Sequence, residues 1–447
     1  MTSDEFGNTH ETHPPRRILA FEPFDAGSHR AVRRAIEKYS EHEWTWITRP
    51  GRGWKWRMRL AAVEMIEEAH RRGALRGRPF DAIFLTSLMS AADLRALLPR
   101  GMRDLPIVLY MHENQAAYPE GRATEEPRRR DLQFALTNLT SILSAERVLW
   151  NSRWNRKSFL DGLAGILSHA PDLKITDWDG RIRSKSAIAW PPVDVPGELR
   201  AGRSDGEPNA PSPRPERDAI GPGRVLRKTN AVGGGEGPSR DQGERGPIRV
   251  VWPHRWEHDK GPEDLLEVAR VHTASLNLRW ILLGETYRKI PPAIETFLAE
   301  FADRIDHAGF LPDREAYLEW LCRADWVLST ARHEFFGIAV AEAMWCGCLP
   351  WLPERLSYPE LLPAGARGLS PMTPPRVDEL PAVRRAIRAH LKPALAPNAV
   401  ALIDEQIKRV VEQDAGAGGS VGDLPENMEA KAGRNGEGSK RPRDLPG

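Results

Sequence analysis

The sequence predicts an α/β protein made of two doubly wound, parallel-sheet domains, and three observations predict it. Short apolar runs recur along the chain, as in ILAFEP (18–23), AIFLTS (82–87), IVLYMHEN (107–114) and VLWNS (148–152). Segments of helical period lie between them, and polar residues collect at the C-terminal ends of the runs. After a compositional break the same alternation starts again. Strands buried on both faces read as continuous apolar runs. Strands alternating with helices build parallel sheets whose ligands sit beyond the strand C-termini.

Taken in order, residues 1–15 lack hydrophobic periodicity and are expected to be disordered. The first domain, 16–196, opens with the strand at 18–23, the turn Asp25-Ala26-Gly27-Ser28-His29, and a helix with apolar positions at Ala31, Ala35 and Ile36. Helical period is also read over 57–72 and 130–145. Residues 197–247 are so rich in Gly, Pro, Ser and charge that they bury too little apolar surface to offset ordering entropy, and they read as a disordered linker or insertion. The second domain, 248–412, carries the runs IRVVWPHRW (248–256), WILLGE (280–285), DHAGFLP (306–312) and WVLSTA (326–331), with helices from about 261 and through 317–322. Residues 413–447 are again Gly-rich and polar and are expected to have no fold.

Composition narrows the function classes. A chain of 447 residues is long enough for two cores. Its 64 basic and 62 acidic residues leave a formal charge of +2, which argues against coating nucleic acid along its length and leaves only local patches. Three cysteines, Cys322, Cys346 and Cys348, are too few for a disulfide framework or a four-ligand zinc site, which suits a reducing compartment. The polar N-terminus has no apolar signal core, and no apolar run is long enough to span a membrane. The expectation is a cytoplasmic protein without a membrane partner.

Several constellations carry chemistry. In TARHEFFGIAVAEAMWCGCLP (330–350), Glu334 and Glu342 stand eight apart across a glycine-containing turn that opens a small apolar helix. Carboxylates there can accept hydroxyls of a polyol, and the helix start near Gly337 offers free N–H groups to an anion. A buried amphipathic helix with two surface glutamates is the plainer reading of the same spacing. Arg255 and Lys260 lie five apart in a loop leading from strand to helix, where two cations can converge on a diphosphate; pairing with Glu257 and Asp259 on the surface is the alternative. His112 ends a buried strand and fits either a ligand contact or a structural hydrogen bond. Gly27 and Ser28 form the loop after the first strand, a ligand approach or an ordinary turn. Arg49, Arg52, Lys55, Arg57 and Arg59 flank Trp54 and Trp56. Those cations suit phosphates and those indoles suit unpaired bases, although the indoles could equally cover the core. Arg122 and Arg128–Arg130 extend the same basic character, diluted by Glu125 and Glu126.

Together the Arg-x4-Lys-Gly loop, Gly284-Glu285 after a strand, and the Glu334-x7-Glu342 turn resemble the donor-binding half of retaining glycosyltransferases with two Rossmann-like domains facing across a cleft, the GT-B architecture of family 4. The blocks PHRWEHDKGPEDLL, LLGET, LSYPELLP, FDAGSHR, WKWRMR, MHENQAAYP, RDLQFALTNLTSIL and LWNSRWNRKSF resemble the tRNA-queuosine mannosyltransferases more narrowly. The likeness touches nearly every ordered segment of both domains. Trp150 departs from it, standing where the family often has a smaller aromatic.

The resemblance implies transfer of mannose from GDP-mannose to the cyclopentenediol of queuosine in the anticodon of tRNA(Asp), with retention. By position, Arg255 and Lys260 would hold the diphosphate, Glu334 the sugar hydroxyls, the Phe335, Phe336 and Gly337 backbone the sugar and phosphate, and Glu342 the ribose. Glu285 would lie near the nucleoside, His112 would face the sugar, and Gly27 and Ser28 would complete the donor site. Arg255 and Lys260 would support departure of the diphosphate, and the leaving phosphate would accept the acceptor's proton. Neither cleft-forming region carries an Asp-x-Asp metal pair, so no metal and no resident cofactor are expected. Two other functions use the same residues: a retaining glycosyltransferase acting on a lipid or glycan, and a non-catalytic RNA- or nucleotide-binding protein.

Overall fold

The computed structural model describes residues 14–117, 132–170, 172, 174–196, 246–286, 289–366, 373–375 and 380–418. Most of the expected linker, Arg122, Arg128–Arg130, and the last part of the chain lie outside them.

The first half is a six-stranded parallel sheet in the order β2-β1-β3-β4-β5-β6. Its strands are β1 (Arg17–Asp25), β2 (Glu43–Pro50), β3 (Ala82–Thr86), β4 (Ile107–Met111), β5 (Arg147–Trp150) and β6 (Ser186–Ile188). The apolar runs form β3 and β4, buried at every position. β2 was not expected from the sequence. Its Glu-Trp-Thr-Trp-Ile-Thr pattern is largely half-buried, and the strand stands at the sheet edge beside β1. Helices α1 (Gly27–Tyr39), α2 (Trp54–Arg71), α3 (Ala91–Leu97), α4 (Leu132–Ser144), α5 (Arg153–Leu167) and α6 (Trp178–Ser184) connect these strands.

The second half repeats the plan as a five-stranded parallel sheet, β11-β10-β7-β8-β9. It comprises β7 (Ile248–Trp252), β8 (Leu278–Leu283), β9 (Ile305–Gly309), β10 (Trp326–Leu328) and β11 (Leu349–Trp351). Around it lie α7 (Pro262–His272), α8 (Pro292–Glu300), α9 (Arg314–Arg323), α10 (Ile338–Cys346), α11 (Tyr358–Leu361) and α12 (Leu380–Leu391). Trp252, Trp280, Trp326 and Trp351 fill one face of this sheet. None of the three cysteines forms a disulfide, and Cys346 and Cys348 are buried.

The expected boundary at 412/413 does not match the packing of the last helix. α13 (Ala396–Gly418) runs past it and returns to the first half, where Val400, Ile403 and Ile407 pack with Ile18, Ala20, Val32 and Ile36. Ser40, Glu41 and Asp404 tie the same surfaces by hydrogen bonds. The C-terminal helix therefore belongs to the core of the first half.

Candidate functional site

Both sheets present their strand C-termini to one cavity of about 110 Å³, lined by Ser28, His112, Glu113 and Asn151 from the first half and by Arg255, Asp259, Lys260 and the 333–338 turn from the second. Each contributor leaves a strand end or caps a helix, as a doubly wound sheet dictates.

On the first side, Gly27 opens α1 at φ +50 and places Ser28 at the cavity and His29 beneath it. Nδ1 of His29 stands 3.0 Å from Oε1 of Glu22, a carboxylate only 1% exposed. The His29 ring stacks on His112 with centroids 3.8 Å apart and planes at 23°. Burial would lower His29, but Glu22 outweighs it and raises its pKa above the ordinary value. Burial and the neighbouring His29 charge push His112 well below its ordinary value, so it is a neutral imidazole. Its Nε2 is buried without a hydrogen-bond partner among the described residues.

The ligand atoms of Glu22, His29 and His112 lie within 4.8 Å of one another. Stacked imidazoles direct their in-plane lone pairs side by side rather than to a common point, which disfavours a shared ion and suits a hydrogen-bonded support beneath His112. Behind His112, Asn151 donates to its carbonyl at 2.7 Å, Asn155 donates to Asn151, and Asn114 donates to Asn155. Asn151, Asn155 and Glu22 were missed as site residues. The paired asparagines of LWNSRWN at the start of α5 were the available signal.

On the second side, two loops clasp each other. The Asp259 carbonyl accepts the amides of Arg332 and His333, and Thr330 donates to the Lys260 carbonyl. Gly261 caps α7 at φ +67, and an added Cβ would stand 2.3 Å from the Thr330 carbonyl oxygen. This clasp carries Lys260 to Glu334: Nζ donates to the His333 carbonyl at 2.9 Å and lies 3.4 Å from the Glu334 carboxylate and 3.1 Å from Asp259. Burial alone would lower the Lys260 ammonium, but Glu334 and Asp259 raise it. Burial opposes ionisation of Glu334, yet Lys260 and the nearby histidines hold it down at about 2. Gly337, at φ +93, then turns the chain into α10.

The remaining sequence candidates separate into three groups. Arg255 lines the cavity and also pairs with Glu257 at 3.2 Å, the surface pairing that was the alternative expectation. Glu342 is neither on the surface nor at the cavity; it is buried on α10 between Arg314 and the Tyr317 hydroxyl. Glu285 is half-buried, and its carbonyl accepts the Trp256 amide. Gly284 permits the neighbouring close approach, since a Cβ there would stand 1.9 Å from the His254 carbonyl oxygen. Trp150 lies wholly in the sheet core, donating to Ser186.

The basic segment divides as well. Arg49 ends β2 and pairs with Glu64 and Glu68, while Arg57 also pairs with Glu64. Trp54 packs on Phe134, Lys55 lies over the Trp54 ring, and Arg59 donates to Gln133. Trp56 is 74% exposed and Arg52 is also exposed. Two of the segment's five cations, Arg49 and Arg57, are therefore already matched by carboxylates within the fold. Asp177-Trp178-Asp179 opens α6 and does not line the cavity.

The arrangement offers an anion two cations and the start of α10. It offers a polyol Glu334, Glu113 and the unpartnered His112 nitrogen.

Residues 17–193 match the family model described as the tRNA-queuosine alpha-mannosyltransferase N-terminal region. The chain is 33% identical over 348 residues to the tRNA-queuosine alpha-mannosyltransferase of Drosophila melanogaster, covering 77% of this chain and 81% of that protein. Among solved structures it is similar to the N-terminal domain of Candida albicans trehalose-6-phosphate phosphatase, with a TM-score of 0.58, 12% identity, and coverage of 91% of this chain and 100% of the other. It is also similar to sucrose-phosphate synthase from Thermosynechococcus elongatus, with a TM-score of 0.51, 15% identity, and coverage of 91% and 98%. These likenesses and the two parallel sheets make the fold GT-B.

Proposed function

Because the chain belongs to the tRNA-queuosine alpha-mannosyltransferase family, we propose that it moves mannose from GDP-mannose to the cyclopentenediol of queuosine in tRNA(Asp), retaining the anomeric configuration. It is a hexosyltransferase by family. The observation that carries the donor assignment is the pairing of buried Lys260 with half-buried Glu334 at the turn into α10, with Arg255 lining the same cavity.

In this reading Arg255, Lys260 and the α10 dipole neutralise charge as the diphosphate departs, each acting where negative charge develops. Glu334 and His112 hold the sugar, and the leaving phosphate takes the acceptor's proton. No side chain acts as nucleophile, and catalysis rests on positioning and charge stabilisation. Glu342 is held by Arg314 and the Tyr317 hydroxyl. Its ion pair with Arg314 must open to admit a ribose, or its contribution is to fix α10.

The test is to incubate the protein with GDP-mannose and queuosine-containing tRNA, digest the RNA and weigh the modified nucleoside. A hexose-sized gain that depends on Lys260 supports the reading. Nucleotide-sugar binding with no gain on the RNA would refute the acceptor assignment.

A further inference from the structure

A second concavity, of about 490 Å³, lies where the two halves meet. Arg153, Trp154, Arg156, Lys157 and Arg183 line it from the first half, and Leu356 and Glu360 from the second. Two of the cations are already matched, Lys157 by Asp161 and Arg183 by Asp179. Arg153 and Arg156 have no ion-pair partner among the described residues. Glu360 accepts the backbone amides of Arg153 and Trp154 at 2.9 and 2.5 Å, so the start of α5 is already answered by a carboxylate. The concavity therefore offers guanidinium groups and an indole rather than a helix end.

Its position makes this charge informative. Ser152, the α5 cap, donates to the Phe335 carbonyl at 2.5 Å, and Asn151 and Phe335 both line the donor cavity. A single residue, Ser152, thus separates the wall of one cavity from the first cation of the other. Unmatched arginines beside a half-buried tryptophan suit phosphodiesters with an adjacent unpaired base. By contrast, Arg49 and Arg57 of the other basic segment are bound to glutamates.

We propose that the groove formed by Arg153, Trp154 and Arg156 holds the backbone of the RNA acceptor and leads one of its nucleosides into the donor cavity. This rests on the RNA acceptor of the proposed function. Arginine paired to phosphate releases condensed counterions, and each such contact contributes about 0.7 to 0.9 to the slope of log affinity against log salt. Because Arg153 and Arg156 make no ion pair among the described residues, replacing them breaks no salt bridge there.

The experiment measures binding of queuosine-containing tRNA to the full chain across a salt series, for wild type, Arg153→Glu/Arg156→Glu and Arg52→Glu/Lys55→Glu. Protection of the fold by GDP-mannose, read as a thermal shift, serves as the control for the donor half. The groove variant is expected to bind at least about tenfold more weakly with a salt slope smaller by about 1.5, and to keep the full GDP-mannose shift. Wild-type affinity and slope in the groove variant, with the loss falling on Arg52→Glu/Lys55→Glu instead, overturn the groove and leave the acceptor reading standing. A wild-type chain that binds GDP-mannose but no tRNA overturns both.

Discussion

Lys260 and Glu334 are enclosed together, and each keeps the other ionised. Removing Lys260 leaves Glu334 without its cation in a poorly solvated site, which costs more than removing both charges. Lys260→Ala should therefore lower stability by about 3 kcal/mol, and Lys260→Met with Glu334→Gln should lower it less. Urea midpoints of the three proteins decide this, and a double variant weaker than the single one would show that the charges are not coupled. The neutral histidines at the same site set an acid limit. Burial, with Lys260 adding to it, holds His254 at about 3 and His333 at about 4. Both titrate near 6.5 in the unfolded chain. Between pH 6.5 and 4 the unfolded state thus binds more protons, so stability must fall as pH falls, by about 1.4 kcal/mol per unit for each such histidine. His112 acts in the same direction. His29, whose pKa is raised, adds stability that is full below 6.5 and is lost as pH rises through its folded value. A urea midpoint that does not fall between pH 6.5 and 4.5 would contradict this account.

At the scale of elements, the clasp between the 258–261 and 330–333 loops decides whether Lys260 reaches the cavity. Gly261 is the point of least tolerance, because it combines φ +67 with a backbone oxygen 2.3 Å from any added Cβ. Gly261→Ala should cost about 3 kcal/mol through left-handed strain and overpacking. Gly101→Ala, with nothing within 4 Å, should be nearly neutral. Thermal unfolding of the two variants separates them, and equal midpoints would refute the close-approach argument. The strands that lead to His112 and Arg255, β4 and β7, were legible because their buried positions read as apolar runs. β2 was not legible, since an edge strand with half-buried tryptophans resembles a loop. The destination of α13 was also hidden. An amphipathic stripe announces that a face will be buried but not which sheet buries it. Likewise, the spacing of Glu334 and Glu342 placed them at the two ends of one turn and helix. It could not show that Arg314, twenty-eight residues before Glu342, would take that carboxylate.

For the whole molecule, the cavity is shared, so a ligand in it joins the halves. Ser28 and His112 come from one sheet, Lys260 and Glu334 from the other. α13 and the Ser152–Phe335 hydrogen bond already connect the halves. A donor that touches both sides binds the assembled form and not the unfolded chain, so it must stabilise in proportion to its saturation. GDP-mannose at one hundred times its dissociation constant should add about 2.7 kcal/mol, and Lys260→Ala should abolish the gain at the same concentration. The same geometry bears on metals. In the proposed reaction the charge of a departing diphosphate would be met by Arg255, Lys260 and the α10 dipole, in the place of the divalent ion that serves elsewhere. Both the thermal shift and turnover are therefore expected to persist in excess chelator. Loss of turnover in chelator, restored by magnesium, with the thermal shift unchanged, would mean that the cations bind the donor but do not suffice for its departure.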